Sequence, residues 1–198
     1  MKNIYDSKKG VVELTDLNEA FIYVNEREIE VDENEGMKEM ILNAGVDYEP
    51  KYVKKYEYDV ELIKLDDYSE AGALEKVRSM KLAEISAYDR SSNVNSFYLN
   101  GIKAWLDKDT RVGLMNSTQI TKNIGRLKTT LWLGITELEI NCDKAIQLLS
   151  ALEMYALDCF NVTAAHTKNV MSMNSIEDIY NYDYKKGYPE KLNLTTTV

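Results

Sequence analysis

YVKKYEYDVELIKLDDYSEAGALEKVRSMKLAEISAY, residues 52–88, changes its apolar period part-way along. Up to Leu65 it alternates. Tyr52, Tyr56, Tyr58, Val60 and Leu62 face one way, and Lys55, Glu57, Asp59 and Glu61 the other, which is the two-residue period of a strand. Asp66-Asp67-Tyr68-Ser69 breaks that pattern. Beyond it Leu74, Val77, Leu82, Ile85 and Tyr88 recur at helical spacing, and Ser69 or Asp67 stands where an N-cap belongs. The reading is an α+β chain: an acidic β-rich module over residues 1–66, then an α-rich module over 69–198 with a long helix and one or two β-hairpins.

Working outward toward the N-terminus, residues 2–6 and 11–15 read as short strands around a turn at Ser7-Lys8-Lys9-Gly10. Phe21–Asp32 reads as another strand, with Ile29 and Val31 alternating with Glu28, Glu30 and Asp32. Asp32 or Asn34 is a candidate cap for a helix holding Met37, Met40, Ile41 and Ala44, which Gly45 would close. Toward the C-terminus, Asn93–Leu106 reads as a hairpin about Asn100-Gly101, because Asn-Gly supplies the two positive-φ residues of a tight turn. Asp109 is a candidate cap for a helix with Val112, Met115, Ile120 and Ile124, ending at Gly125. Thr129–Leu133 and Ile135–Ile140 flank Gly134 as a second hairpin. Asp143–Met171 is the longest helix, with Ala145, Leu149, Leu152, Ala156, Cys159, Thr163 and Val170 on one face. Ser175 with Asp178 resembles a capping box for a last short helix.

The 198 residues carry a formal charge of −9, unevenly placed. Residues 1–70 hold 9 basic and 19 acidic side chains, and residues 71–198 hold 15 and 14. An acidic chain gains nothing from counterion release on a phosphate backbone or from an anionic membrane surface, so neither nucleic acid nor membrane is an expected partner. No apolar run approaches the ~20 residues that span a bilayer, and MKNIYDSKKG lacks the apolar centre of a signal peptide. Cys142 and Cys159 lie 17 positions apart, about 25 Å along a helix, which is beyond disulfide reach. They read as reduced core thiols of a protein made in a reducing cytoplasm.

The residues offer little to a catalyst. His166 is the one histidine, and it sits at the edge of the long helix's apolar stripe. Cys159 and His166 share a face but stand ~10 Å apart along the axis, too far for a thiolate–imidazolium pair. There is no G-x-S-x-G elbow, no GxxxxGK and no GxGxxG. One histidine and two distant cysteines do not make a zinc site, and Asp32–Gly36 lacks the ligand order of an EF-hand. The reading is no catalytic residue, no metal and no cofactor. Lys122, Arg126 and Lys128 cluster at a helix end, where cations oppose the dipole. Tyrosine is the compositional peculiarity, at 14 against 3 Phe and 2 Trp. Four of them, Tyr180, Tyr182, Tyr184 and Tyr188, fall within nine positions beside Lys185, Lys186 and Pro189. That mixture suits an interface, so these four are the candidate partner-binding residues, together with part of the tail after Leu192.

Arg78–Leu192 resembles a phage domain-of-unknown-function family found in tail-fibre-associated proteins. The residues that carry the resemblance are KVRSMKLAEISAYDRSSNVNSFYLNGIKAWLDKDTRVGL, the Trp-bearing TTLWLG, the long helix, and SIEDIYNYDYKKGYPEKL with its Gly187-Tyr188-Pro189 close. The family supplies no catalytic residues to carry over. The resemblance implies a non-enzymatic virion component or adaptor in the tail region, made in the host cytoplasm. Its partners would be other tail or fibre subunits, or further copies of itself. The alternatives are a fibre-assembly chaperone and a glycan-binding or glycan-processing tail protein.

Overall fold

The computed structural model describes residues 2–5, 12–15 and 18–196, so the turn expected at Ser7–Gly10 lies outside the described residues. The chain is α+β, with 46% helix and 28% strand. In order, the elements are β1 (Lys2–Tyr5), β2 (Val12–Leu14), β3 (Glu19–Asp32), α1 (Lys38–Asn43), β4 (Tyr52–Lys64), α2 (Glu70–Asp89), α3 (Ser92–Asn95), β5 (Phe97–Leu99) and β6 (Ile102–Ala104). There follow α4 (Lys108–Asn123), β7 (Lys128–Leu133), β8 (Thr136–Asn141), α5 (Cys142–Ser172), α6 (Ile176–Tyr180) and β9 (Asn193–Leu194). The contacts divide the chain into two compact units: residues 1–81 with 173–182, and residues 82–172 with 183–198. The division falls inside α2, and the first unit takes back α6 from the far end of the sequence.

In the first unit an antiparallel sheet runs β1-β4-β3-β2. Asn25 takes a left-handed conformation, φ 57°, where the β3–β4 register shifts between Val24 and Arg27. Such a bulge is a place where asparagine is tolerated. One face of the sheet buries Tyr23, Tyr58 and Val60, with Phe21 and Tyr56 packed on them. Ala20, Ile22, Val24 and Ile63, of opposite parity, are also buried, so both faces of this end are covered. The alternation expected over Tyr52–Leu65 holds through Tyr58 and Val60, but Tyr52 and Leu62 are exposed. Among the described residues β1 pairs with β4 from Tyr56 to Asp59, and Leu62 lies beyond it. From Ile29 and Lys55 outward, β3 and β4 are, among the described residues, a two-stranded ribbon to Asp32 and Tyr52.

The helix starts follow local chemistry. Ser69 Oγ accepts from Gly72 N at 2.9 Å and so caps α2. Arg78 donates to the Met173 carbonyl at 2.7 Å and pairs with Glu75. Ser175 Oγ accepts from Asp178 N, and α6 buries Ile176 and Ile179 beside β3.

In the second unit Asn100 (φ 50°) and Gly101 (φ 82°) make the turn of the β5–β6 hairpin. The strand expected from Asn93 begins only at Phe97. Ser91 caps Asn93 N instead and turns residues 92–95 into α3. α4 is capped by Asp107, whose Oδ1 accepts from Thr110 N at 2.8 Å, and not by Asp109. Of the apolar stripe expected on α4, only Met115 packs on the core. Val112, Ile120 and Ile124 are exposed, whereas Arg111 and Thr118 are buried and Leu114 and Met115 half-buried. The helix packs on α5 through that second set. β7 and β8 form the second hairpin with Gly134 at φ 67°, leaving Trp132 and Ile135 exposed. α5 buries the whole expected face from Ala145 to Val170. The core joins Phe97, Leu99, Leu131, Leu133, Leu149 and Leu152. The tail supplies β9, parallel to β5, with Tyr98 N on the Leu192 carbonyl and Asn100 N on the Leu194 carbonyl, both at 2.8 Å.

Gly72 gives a direct test of the start of α2. A Cβ there would stand 1.9 Å from the Asp67 carbonyl oxygen, which is backbone and cannot turn aside. Ala in place of a helical Gly ordinarily stabilises by ~0.5–1 kcal/mol. Here Gly72→Ala is expected to reverse that sign and cost about 1–3 kcal/mol, read by chemical denaturation. A stabilised variant would show that the Asp66–Ser69 turn is built otherwise.

Candidate docking groove

A depression in the second unit follows from how α4 is held. Arg111, buried in the first turn of α4, donates from Nε to Glu153 of α5 at 2.8 Å and from Nη1 to the Leu106 carbonyl at 2.8 Å. One guanidinium thus fixes α4, α5 and the end of the β5–β6 hairpin. Beside this clamp lies a groove of about 750 Å³. Its apolar wall is Trp105, Leu157 and Phe160, all exposed, with Ala156 beneath, and its rim carries Asp89, Arg90 and Lys108. A second depression of about 540 Å³ meets it at Phe160 and continues along α5 past Ala164 to Met171. Helical spacing sets Leu157, Phe160, Ala164 and Met171 on one strip, next to the buried face and on the outside of the unit.

Three carboxylates of the groove have partners inside the fold. Asp89 accepts from Thr163 Oγ1 at 2.7 Å, and Glu153 is paired with Arg111. Asp107 is held below the usual carboxylate range by the Thr110 N–H and hydroxyl that it accepts from, so it stays ionised as a cap. Asp107 is thus not a carboxyl kept protonated by burial, as a general acid requires.

The sequence candidates fall elsewhere. Cys142 and Cys159 are both free and buried. Burial pushes the Cys159 thiol up, and Sγ lies 3.7 Å from the Val94 carbonyl. A thiol held protonated in this way is a poor nucleophile. Tyr155 donates to the Val94 and Ser96 carbonyls at 3.0 and 3.2 Å, and burial raises its phenol far above the ordinary value. His166 Nε2 donates to the Lys186 carbonyl at 2.9 Å, which joins the long helix to the C-terminal segment. Among the described residues no three His, Cys, Asp or Glu side chains are grouped to hold a metal. No helix among them is long and apolar enough to cross a membrane.

The four tyrosines are divided between the two units. Tyr180 and Tyr182 belong to the first unit, and Tyr184 and Tyr188 to the second. All four are half-buried. Tyr180 donates to Glu61. Tyr184 meets Tyr88 edge-on at 5.6 Å. Tyr188 packs beside Val94, Tyr155 and Cys159, with its ring 5.8 Å from Tyr88 and its hydroxyl 3.0 Å from Thr163 Oγ1. Lys191 extends the same closure with a bond to the Val94 carbonyl at 2.9 Å, and burial lowers its pKa. The tail after Leu192, expected to meet a partner, pairs with β5 of its own unit. The clamp beside the groove was not legible in the sequence, because Arg111 and Glu153 lie 42 positions apart. The one usable signal was Trp105, a large aromatic at a hairpin end.

No family model, curated protein or solved structure matches the chain.

The C-terminal segment is testable by truncating one side chain in steps. Tyr188→Phe removes the hydroxyl from Thr163 and is expected to cost about 1 kcal/mol. Tyr188→Ser also removes the ring from its cluster and is expected to cost about 2–4 kcal/mol, both read as urea midpoints. Two variants as stable as the parent would show that Tyr188 is not packed in the fold.

Proposed function

We propose that this chain is a non-enzymatic docking protein of a phage tail region, a structural subunit or adaptor that seats a tail or fibre protein on the α5 strip. The observation that carries the reading is the exposed, ordered line of Trp105, Leu157, Phe160 and Met171 beside a core that is already closed. Apolar and aromatic side chains in line along a groove are the usual anchors of a protein interface. The partnered carboxylates support binding over acid–base work. The phage setting rests on the resemblance of residues 78–192, which include every residue of the groove. The alternative of an assembly chaperone uses the same surface and differs only in whether the chain stays in the particle.

Quantitative mass spectrometry of purified particles tests this, with Phe160→Asp as the probe. The chain is expected in fixed ratio to tail proteins, and the variant is expected to be incorporated about tenfold less. The melting temperature of the isolated chain should stay where it was, since Phe160 is exposed. Absence from particles whose fibres fail without it would favour the chaperone. Full incorporation of the variant would remove α5 as the docking surface.

A further inference from the structure

We infer that the chain associates with copies of itself, the tip of the β3–β4 ribbon of one copy seating on the α4–β7 corner of the next. The tip is ordered by polar bonds. Asp32 accepts from Asn34 N at 3.0 Å, from Lys51 N at 2.8 Å and from the Tyr48 hydroxyl. Desolvation and the Asp32 carboxylate push the Tyr48 phenol up to about 12, so it remains a donor. Lys38 lies over the Tyr48 ring at 5.3 Å. Yet α1, which this frame carries, buries no residue. Met37, Met40, Leu42 and Val46 all face solvent, Met40 at 73%. A rigid frame holding methionine and leucine outward is an anchor that its own unit does not cover.

The matching surface is where α4 ends. Ile120 and Ile124 follow one another on its outer face, and Leu127, before β7, is 78% exposed. Charge selects this surface. Residues 33–51 hold Glu33, Glu35, Glu39, Asp47 and Glu49 against Lys38 and Lys51. Residues 119–128 hold Lys122, Arg126 and Lys128 and no acid. Lys122 and Lys128 each lean on one acid, Asp143 and Glu139 respectively, while Arg126 carries the third charge of the corner. An acidic apolar tip and a basic apolar corner are complementary, and complementary charge fixes the register of an encounter. The two surfaces lie at different places on one chain, so each copy offers one of each, as head-to-tail rings and filaments require. A contact built from so few apolar side chains is expected to be weak, on the order of 10–100 µM.

Sedimentation velocity of the full chain up to about 200 µM tests this. The wild type is expected to show concentration-dependent association that weakens as salt rises. Met40→Asp with Leu42→Asp, and separately Ile124→Asp with Leu127→Asp, are expected to sediment as monomers with unchanged melting temperatures, because all four side chains are exposed. Mixing those two variants is expected to restore a one-to-one pair, since one supplies the intact tip and the other the intact corner. Phe160→Asp is expected to associate like the wild type, which separates this contact from docking on α5. A wild type monomeric throughout, variants that still associate, or a mixture that stays monomeric would each overturn the proposal.

Discussion

The second unit depends on what one face of α5 covers. Along 31 residues this helix buries a continuous line from Cys142 to Val170, and each stretch closes a different neighbour. Its first turns complete the core with both hairpins. Glu153 anchors Arg111 and with it the start of α4. Tyr155 and Cys159 meet α3, and Thr163 and His166 receive the C-terminal segment. With so much of the helix spent on the core, the strip through Leu157, Phe160 and Met171 is left as free surface. Burying more apolar area inside would have stabilised the fold at ~25 cal/mol per Å². That exposed area is what the proposed docking would cover.

The two units present their surfaces differently. The first carries an acidic ribbon whose end is built from hydrogen bonds around Asp32 and whose apolar side chains point outward. The second carries apolar strips along α5 and at the end of α4, with cations near the latter. The charge break seen along the sequence is thus a difference between surfaces. In the groove, Asp107 is taken up in a cap, Glu153 in the clamp on Arg111 and Asp89 in a hydroxyl bond.

What the sequence disclosed was what is decided locally. Asn100-Gly101 fixes its hairpin because few residues accept two successive positive φ angles. Ser69 and Ser175 cap their helices because the N–H groups they accept from lie three positions on. The face of α5 was legible because eight turns of repeated spacing leave one solution. Misreadings came where contacts between distant residues decide. Asp107 and Asp109 are equally plausible caps until α4 is placed. Val112, Ile120 and Ile124 make a fair apolar stripe, but Arg111, Leu114 and Thr118 face α5 instead. A parallel strand of two residues, Asn193–Leu194 on β5, has no periodicity to find. The tyrosines at the end of the chain were legible as a cluster in sequence and not as members of two units.

We propose the α5 strip, and not the C-terminal tyrosine segment, as the working surface of the second unit. A photoreactive amino acid placed at position 160 or, separately, at position 184, followed by irradiation of assembled particles, tests it most directly. The account predicts a cross-link from position 160 to another protein, and from position 184 only to residues of the same chain. Cross-links to another protein from position 184, with none from position 160, would contradict it.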